Sequence, residues 1–328
     1  MTSVATKIRR IPKIPESITR AQKRLLEFLF PADAGQWVSV LRIGLGIQIV
    51  LYAISLKDDW NFLFAGPTNG LVGRELSEAL LSKQSPFVPQ LSWLIALGAR
   101  AGLSEWTVLS MTWGLLLWAG CGLALGILSR VSAILAWLIH LSAANSGSFL
   151  SYGVDNFMTI GLFYLILAPL PDRYAYENRW RRTRDQDQQL LGFWRRVLQL
   201  HLAFIYFFGG LAKALGSGWW DGNSLWRTLT RSPFDLVPAE TLIRFKYIFP
   251  IAGVAVCLLE LGYAFAIWQK RTRVIWLTGI IAMHIGIGLA MGMYLFAFVM
   301  IVLNAAAFGP ELIFGPRQRA NVPVTKLI

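Results

Sequence analysis

Long apolar segments, separated by polar or basic stretches, run along almost the whole chain of 328 residues. About 20 apolar residues in a helix cross a bilayer core about 30 Å thick, because each residue adds about 1.5 Å. A soluble domain of this size would not distribute such segments from end to end, and the mean hydropathy of +0.51 agrees with that view. The sequence therefore predicts an all-α polytopic membrane protein, a bundle of about eight transmembrane helices in the cell membrane.

The predicted spans cover residues 36–56, 105–127, 131–150, 154–170, 197–215, 249–268, 274–290 and 293–309. Together they form one transmembrane domain over 36–312. A basic segment, 1–35, precedes this domain, and its residues 15–30 are predicted to form an amphipathic helix on an anionic membrane face. A tail, 313–328, follows it. Several spans are short, so tilt or local thinning of the bilayer is expected.

The positions of the basic residues predict the orientation of the chain in the membrane. Twenty-one of the 31 Lys and Arg residues lie in segments that share a side with the N-terminus, whereas eight lie in the two long loops on the other side. Positive loops stay in the cytoplasm, so both termini are predicted to be inside. The net charge of +13 is explained by this topology, and nucleic acid is not predicted as a partner.

Several charged residues lie within or at the ends of predicted spans, where charge is expensive. Arg42 and Glu260 are placed about 9 Å and about 12 Å from the inner ends of spans one and six, so we expect a structural ion pair between them. Lys213 lies about 24 Å along span five, near the outer face, at the same depth as Asp155 at the outer start of span four. These two are expected to be partners.

Lys213 has two interpretations. Its long side chain could extend to the outer headgroups and serve no function. Alternatively it lines a cavity, because helical spacing places Tyr206, Gly209 and Gly210 on its side of the helix. The two glycines would let another helix, or a flat ligand, approach the amine closely. The tryptophans of the outer loops are either an interfacial belt or a lid over such a cavity.

The chain has three histidines. His201 is expected to pack at the inner interface, while His140 and His284 are either satisfied core histidines or acid and base groups. Interhelical hydrogen bonds are expected from three asparagines, Asn145, Asn156 and Asn304. No metal site is predicted, since the histidines lie on separate spans without ligand spacing. No nucleotide-binding or soluble-hydrolase motif is found.

One segment carries a family resemblance, FIYFFGGLAKALGSGWWDGNSLW at residues 204–226. It resembles the central signature of the horizontally transferred transmembrane (HTTM) domain, which is the membrane part of vitamin K-dependent gamma-carboxylase and of bacterial relatives. That signature is an aromatic helix, a Gly-hydrophobic-x-Lys sequence, then tryptophan and an acidic-Gly pair. Further matches are LRIGLG, SRVSAILAWLIHLSAANSGSFLSYGVDNFMTIGLFYLILAPLP and MHIGIGLAMGMYLFAFVMIVLNAAAF, so the resemblance covers about 36–312.

The resemblance implies an outward-facing site in an eight-helix bundle. Lys213 occupies the position of the lysine proposed to deprotonate reduced vitamin K, which makes a reduced quinone of that type the implied cofactor. The catalytic candidates are Lys213, Asp155 and His284. The candidates for cofactor binding are Tyr206, Gly209, Gly210, Trp219, Trp220 and Asp221, and the structural candidates are Arg42 and Glu260.

The sequence also departs from the carboxylases. They have a histidine at the position of Asp155, and an aspartate beside Lys213 would favour its charged form. No counterpart of their lumenal substrate region follows span eight, so glutamate carboxylation is not expected. Two functions stay open: an enzyme acting on a quinone, lipid or peptide, or a non-catalytic accessory protein for maturation, export or immunity of a secreted peptide. A transporter is disfavoured, because no internal repeat is visible. The expected partners are the bilayer and a hydrophobic small molecule or secreted peptide.

Overall fold

The computed structural model describes residues 20–33, 35–66, 74–85, 87–180 and 187–313, and all regular secondary structure in these ranges is helical. The predicted all-α class is therefore confirmed. Five helices are long and apolar enough to cross a membrane. Residues 1–19 of the predicted basic segment and 314–328 of the predicted tail lie outside the described residues.

The helices are α1 (Arg20–Leu29), α2 (Gln36–Ser55), α3 (Trp60–Phe64), α4 (Arg74–Gln84), α5 (Leu91–Arg100), α6 (Glu105–Leu125), α7 (Ser129–Ser146), α8 (Gly153–Leu167), α9 (Gln188–Ala214), α10 (Ser217–Trp220), α11 (Asn223–Leu229), α12 (Ala239–Arg244), α13 (Ile248–Ala266), α14 (Lys270–Met291), α15 (Tyr294–Phe308) and α16 (Pro310–Ile313). A short 3₁₀ turn covers Tyr176–Arg179.

Each of the eight predicted spans falls on one of these helices. The five that meet the length and hydropathy of a membrane span are α2, α6, α9, α13 and α14. Helices α8 and α15 are apolar but have only 15 residues each. Helix α7 is long enough but carries four serines, a histidine and an asparagine. Helix α9 has 27 residues and begins at Gln188, earlier than the predicted start at 197.

The eight long helices alternate in direction. Helix α2 runs antiparallel to α6, because the Trp113 indole donates to the Ala53 carbonyl near one end and Arg42 reaches the Leu123 carbonyl near the other. Helix α15 covers a second side of α2, and α9 packs along α13. Alternating helices bring the chain back to the same end after each pair.

The start of α2, the start of α9 and the end of α15 meet at one end of the bundle, which we call the terminal end. Arg195 on α9 forms an ion pair of 2.7 Å with Asp33, just before α2. Its Nε donates to the carbonyl of Ala307 on α15 at 2.9 Å. These contacts fix the first and last long helices to the same end of the molecule.

Helix α2 lies in the middle of the core. Trp37, Leu41, Leu45 and Ile49, spaced four residues apart, are fully buried on one of its faces. Large apolar side chains on the outer helices point the other way, with Phe204, Phe208, Leu258 and Phe265 all mostly exposed. Apolar surface of this extent is typical of contact with lipid.

The two long loops pack on different parts of the opposite end. The first, with α3 to α5, lies on α6 and α7, where Arg74 pairs with Glu105 at 2.7 Å and the Ser146 hydroxyl donates to Glu78 at 2.5 Å. The second loop, with α10 to α12, lies on α13, and the Trp226 ring meets Phe249. Among the described residues, the second loop reaches the end of α9 that carries Lys213, through α10.

Candidate functional site

Lys213 forms an ion pair with Glu260, with Nζ 2.7 Å from Oε2. The lysine is 26% exposed and the glutamate 8%. The predicted pairs, Arg42 with Glu260 and Lys213 with Asp155, are both wrong. Each was inferred from equal depth in the membrane, which says nothing about which helices are neighbours. Helix α9 packs on α13, and this contact brings Lys213 to Glu260.

Arg42 instead pairs with Asp172, which follows α8 in the sequence. Asp172 accepts from the Arg42 Nε and from the Ser39 hydroxyl, and both members of the ion pair are 1% exposed. The other end of the guanidinium donates to the carbonyls of Leu123 and Ala124. These are the contacts of a pair that joins helices, and they lie apart from Lys213.

Two glycines allow α13 to approach Lys213. A methyl group at Gly210 would lie 2.8 Å from the Leu261 backbone nitrogen and 2.9 Å from the Glu260 Cβ, which is too close for any side chain. A methyl group at Gly209 would lie 3.3 Å from the Glu260 carboxylate and 3.7 Å from the Lys213 amine. Gly210 therefore admits the neighbouring helix, whereas Gly209 borders the ion pair itself.

Of the three loop residues proposed for cofactor binding, only Trp219 lies over Lys213. Its ring centroid is 5.5 Å from Nζ, within range of a cation–π interaction. Trp220 is exposed and donates its indole N–H to the Ala214 carbonyl at 2.8 Å. Asp221 is exposed and accepts from the backbone and side chain of Asn223, which begins α11. Both serve the local loop structure.

Four buried side chains form a chain of hydrogen bonds on the side of the ion pair that faces the terminal end. Tyr263 donates to Asn304 Oδ1 at 2.7 Å, and Asn304 Nδ2 donates to the Tyr206 hydroxyl at 2.7 Å. The Tyr206 hydroxyl is 2.9 Å from His284 Nε2. Tyr206 lies two helical turns before Lys213 on α9, and Tyr263 lies one turn after Glu260 on α13. The chain of hydrogen bonds and the ion pair therefore both lie where α9 packs against α13.

The predicted interhelical hydrogen bonds of Asn304 are confirmed, but its link to the candidate site was not foreseen. Tyr263 was missed altogether, because a tyrosine within an apolar run is expected to be core. A signal for it existed in its spacing of three residues from Glu260, which places both on one face of α13.

His284 belongs to this site, whereas Asp155 does not. The His284 ring is joined to the site by its contact with the Tyr206 hydroxyl, and Phe296 packs against the ring with its centroid 5.7 Å away. Beyond Phe296 lies the start of α8, where Phe157 is 5.9 Å from it. Asp155 caps α8 there by accepting from the Tyr152 backbone N–H at 3.0 Å.

Asp155 also lines a groove between α7 and α8, with a volume of about 470 Å³. Its lining residues are Leu141, Ala144, Asn145, Ser148, Ser151, Asp155, Asn156, Thr159 and Ile160. His140 lies behind Asp155, with Nε2 3.2 Å from the Asp155 carbonyl oxygen. His201 bonds to the Tyr164 hydroxyl at 3.0 Å on another pair of helices. Neither histidine contacts Lys213.

The arrangement at Lys213 offers one cation and one carboxylate beside a neutral hydrogen-bonded chain. Within the described ranges, no group of three or more His, Cys, Asp or Glu residues could hold a metal ion. No protein-family model, curated protein or solved structure matches the chain. Its function is therefore inferred from the contacts of its own residues.

Proposed function

We propose that this chain is a multi-pass membrane protein of the HTTM type that binds a hydrophobic small molecule of the quinone class at Lys213 and Glu260 and transfers a proton to or from it. The observation that carries the proposal is the ion pair itself. A lysine within an apolar helix is costly unless it has a partner or a function. Lys213 has a partner, yet a quarter of its surface stays accessible.

The two members of the pair have different roles in this proposal. The Lys213 amine donates to the Glu260 carboxylate at 2.7 Å, so it is engaged as a donor in this pair. Glu260 is the proton acceptor, and Lys213 stabilises the negative charge that develops on an oxygen of the bound molecule. The base therefore shifts from the lysine that the HTTM resemblance implied to its carboxylate partner.

A flat ring suits the space beside the pair. Gly209 has no side chain to fill the space next to the ammonium and the carboxylate, and the Trp219 indole flanks the amine from the loop. An apolar wall with a few convergent polar groups is typical of small-molecule sites. The molecule would reach the pair from the end of α9, where Lys213 is exposed.

The proposal includes eight spans, with both termini inside and the Lys213 site facing outward in the inner membrane. Three features support it: the alternating direction of the eight long helices, the contact of Asp33 and Ala307 with one arginine, and the excess of basic residues on that side. The shorter helices α8 and α15 would cross where the bilayer is locally thinned.

The ligand proposal is tested by titrating the reduced form of 2-methyl-1,4-naphthoquinone, whose hydroxyl can donate to Glu260, into the protein in nanodiscs without oxygen. Lys213→Met and Glu260→Gln should each weaken binding about tenfold, as expected when one charged hydrogen bond is lost. Lys246→Met is the matched control, because Lys246 is an exposed lysine in the same loop region. Wild-type affinity in both site variants would show that the pair does not bind the quinone.

The topology is tested by single-cysteine labelling with a membrane-impermeant reagent. Cys121 and Cys257 are first replaced by alanine, and cysteine is then placed at Asn178 or Asn223. Intact cells should label position 223 and not position 178. The opposite pattern would place Lys213 on the inner side and exclude the outward-facing site.

A non-catalytic role with a secreted peptide is the second candidate, and the groove beside Asp155 favours it. Side-chain amides and hydroxyls line this groove, and such groups can bond to a peptide backbone. This role predicts that Asn156→Ala abolishes a cellular phenotype that Lys213→Met leaves intact. The enzymatic role predicts the reverse pattern.

A further inference from the structure

The hydrogen bonds of Asn304 determine which group donates and which accepts in the chain of hydrogen bonds that includes Tyr206 and His284. Besides the Tyr206 hydroxyl, its Nδ2 donates to the carbonyl of Met300 at 2.8 Å. Exchanging the amide nitrogen and oxygen would place Oδ1 against that carbonyl, where two acceptors would face each other. The amide nitrogen therefore faces Tyr206, and the Tyr206 hydroxyl oxygen is an acceptor.

This direction determines which nitrogen of His284 carries the proton. The Tyr206 hydroxyl has one proton, and His284 Nε2 lies 2.9 Å away to accept it. If Nε2 were the donor instead, the Tyr206 proton and the Nδ1 lone pair would both lack a partner. Donation from the Tyr206 hydroxyl to Nε2 leaves one buried group unpaired, whereas donation from Nε2 leaves two. The neutral ring therefore carries its proton on Nδ1.

The Nδ1–H group of His284 is thus a donor with nothing to donate to. The residue is only 3% exposed, and Nδ1 has no hydrogen-bond partner among the residues that the structure describes. Buried donors in native proteins are nearly always paired, with protein, water or ligand. Tyr206, to which the ring is bonded, lies two turns from Lys213 on the same helix.

We infer that His284 presents Nδ1–H to an acceptor oxygen of the molecule bound at Lys213, and that Asn304 is the positioning residue that sets this polarity through Tyr206. The inference rests on the proposed function and specifies which hydrogen-bonding group the ligand must carry. A carbonyl, hydroxyl or other acceptor oxygen meets His284, and a ligand group that can only donate, such as an ammonium, is excluded at this point.

The tautomer is measured by nitrogen NMR on protein labelled with ¹⁵N-histidine, which gives only three imidazole rings to assign. His284→Gln identifies the signals of interest. In the wild type, Nδ1 should be the protonated nitrogen and Nε2 the unprotonated one. Protonation at Nε2 would overturn the role of Asn304 whether or not any ligand binds.

Two variants separate positioning from mere packing. Asn304→Asp replaces the donor to Tyr206 with an acceptor, so the Tyr206 proton turns toward residue 304 and the His284 proton should move to Nε2. Tyr263→Phe leaves Nδ2 of Asn304 held by Met300 and should leave the tautomer on Nδ1. A tautomer that is the same in both variants would overturn the positioning role.

A matched pair of ligands tests the acceptor. 2-Methyl-1,4-naphthoquinone and 2-methylnaphthalene share a ring system, but only the first has acceptor oxygens. The quinone should bind wild type about a hundredfold more tightly, because both Lys213 and His284 donate to its oxygens, and His284→Leu should reduce that preference about tenfold. If neither ligand binds, the proposed function fails. If Lys213→Met weakens quinone binding but His284→Leu keeps the full preference, only the inference about His284 fails.

Discussion

Two ion pairs between helices, Arg42 with Asp172 and Lys213 with Glu260, are built in different ways. The first is 1% exposed on both sides, and a serine and two backbone carbonyls occupy its remaining hydrogen-bonding groups. The second consists of one contact of 2.7 Å, has an exposed lysine, and meets an indole ring from a loop. An ion pair whose donors and acceptors are all hydrogen-bonded can only hold helices together, whereas an ion pair with fewer bonds can bind a ligand.

Breaking the first pair should have the largest effect on stability. Arg42→Met leaves Asp172 as a buried charge without its partner, which costs about 3–5 kcal/mol. Thermal unfolding in detergent, monitored by size-exclusion chromatography, should show a large fall in the midpoint temperature of unfolding. Asp172→Asn keeps one acceptor oxygen for the Ser39 hydroxyl but removes the charge, and it should also lower the midpoint because Arg42 loses its partner. Wild-type unfolding of Arg42→Met would mean that this pair is not a structural joint.

Closing the gap between α9 and α13 should have the next largest effect. Gly210→Val inserts a branched side chain where the Leu261 nitrogen is 2.8 Å from the first added carbon, and such overpacking costs about 1–3 kcal/mol. Gly114→Ala on α6 is the control, because no atom lies within 4 Å of the added methyl group. Equal unfolding temperatures for the two variants would contradict the close approach of these helices.

Breaking the second pair should cost less than breaking the first. Lys213→Met leaves Glu260 near an accessible end of the helices, so we expect a loss of about 1–2 kcal/mol. A double-mutant cycle with Glu260→Gln, set beside the corresponding cycle for Arg42 and Asp172, compares the two pairs directly. A larger coupling energy at Lys213 would reverse the comparison.

Replacing the indole should have the smallest effect. Trp219→Leu keeps an apolar side chain but removes the cation–π contact, which contributes about 0.5–1 kcal/mol at a partly exposed site. The same substitution in the Lys213→Met background should change the unfolding temperature by less, since the cation is already absent. An equal change in both backgrounds would show that the tryptophan acts through packing alone.

The helices could be predicted from the sequence, and the partners of the charged residues could not. Apolar runs predicted the positions of all eight long helices, and five of these helices have the length and composition of a membrane span. Depth matching failed for Arg42 because its partner, Asp172, follows a span instead of lying within one. It failed for Lys213 because equal depth with Asp155 carries no information about which helices touch.

Part of the candidate site was nevertheless visible in the sequence. Helical spacing correctly placed Tyr206, Gly209 and Gly210 on the side of Lys213. The chain from Tyr263 through Asn304 was out of reach, because it depends on how three helices are rotated about their axes. A single sequence does not specify those rotations.

The packing of α2 against α15 has a consequence for biosynthesis. The Gln48 amide donates to the Leu295 carbonyl, 247 residues later, at 3.0 Å. The amide nitrogen of Gln48, on the first long helix, therefore meets this acceptor only after the last long helix has been made. Until synthesis ends, Gln48 has to be held by water, lipid headgroups or an insertion factor. A chain that terminates before α15 should consequently be recognised as incomplete and degraded, even with seven of its long helices already inserted.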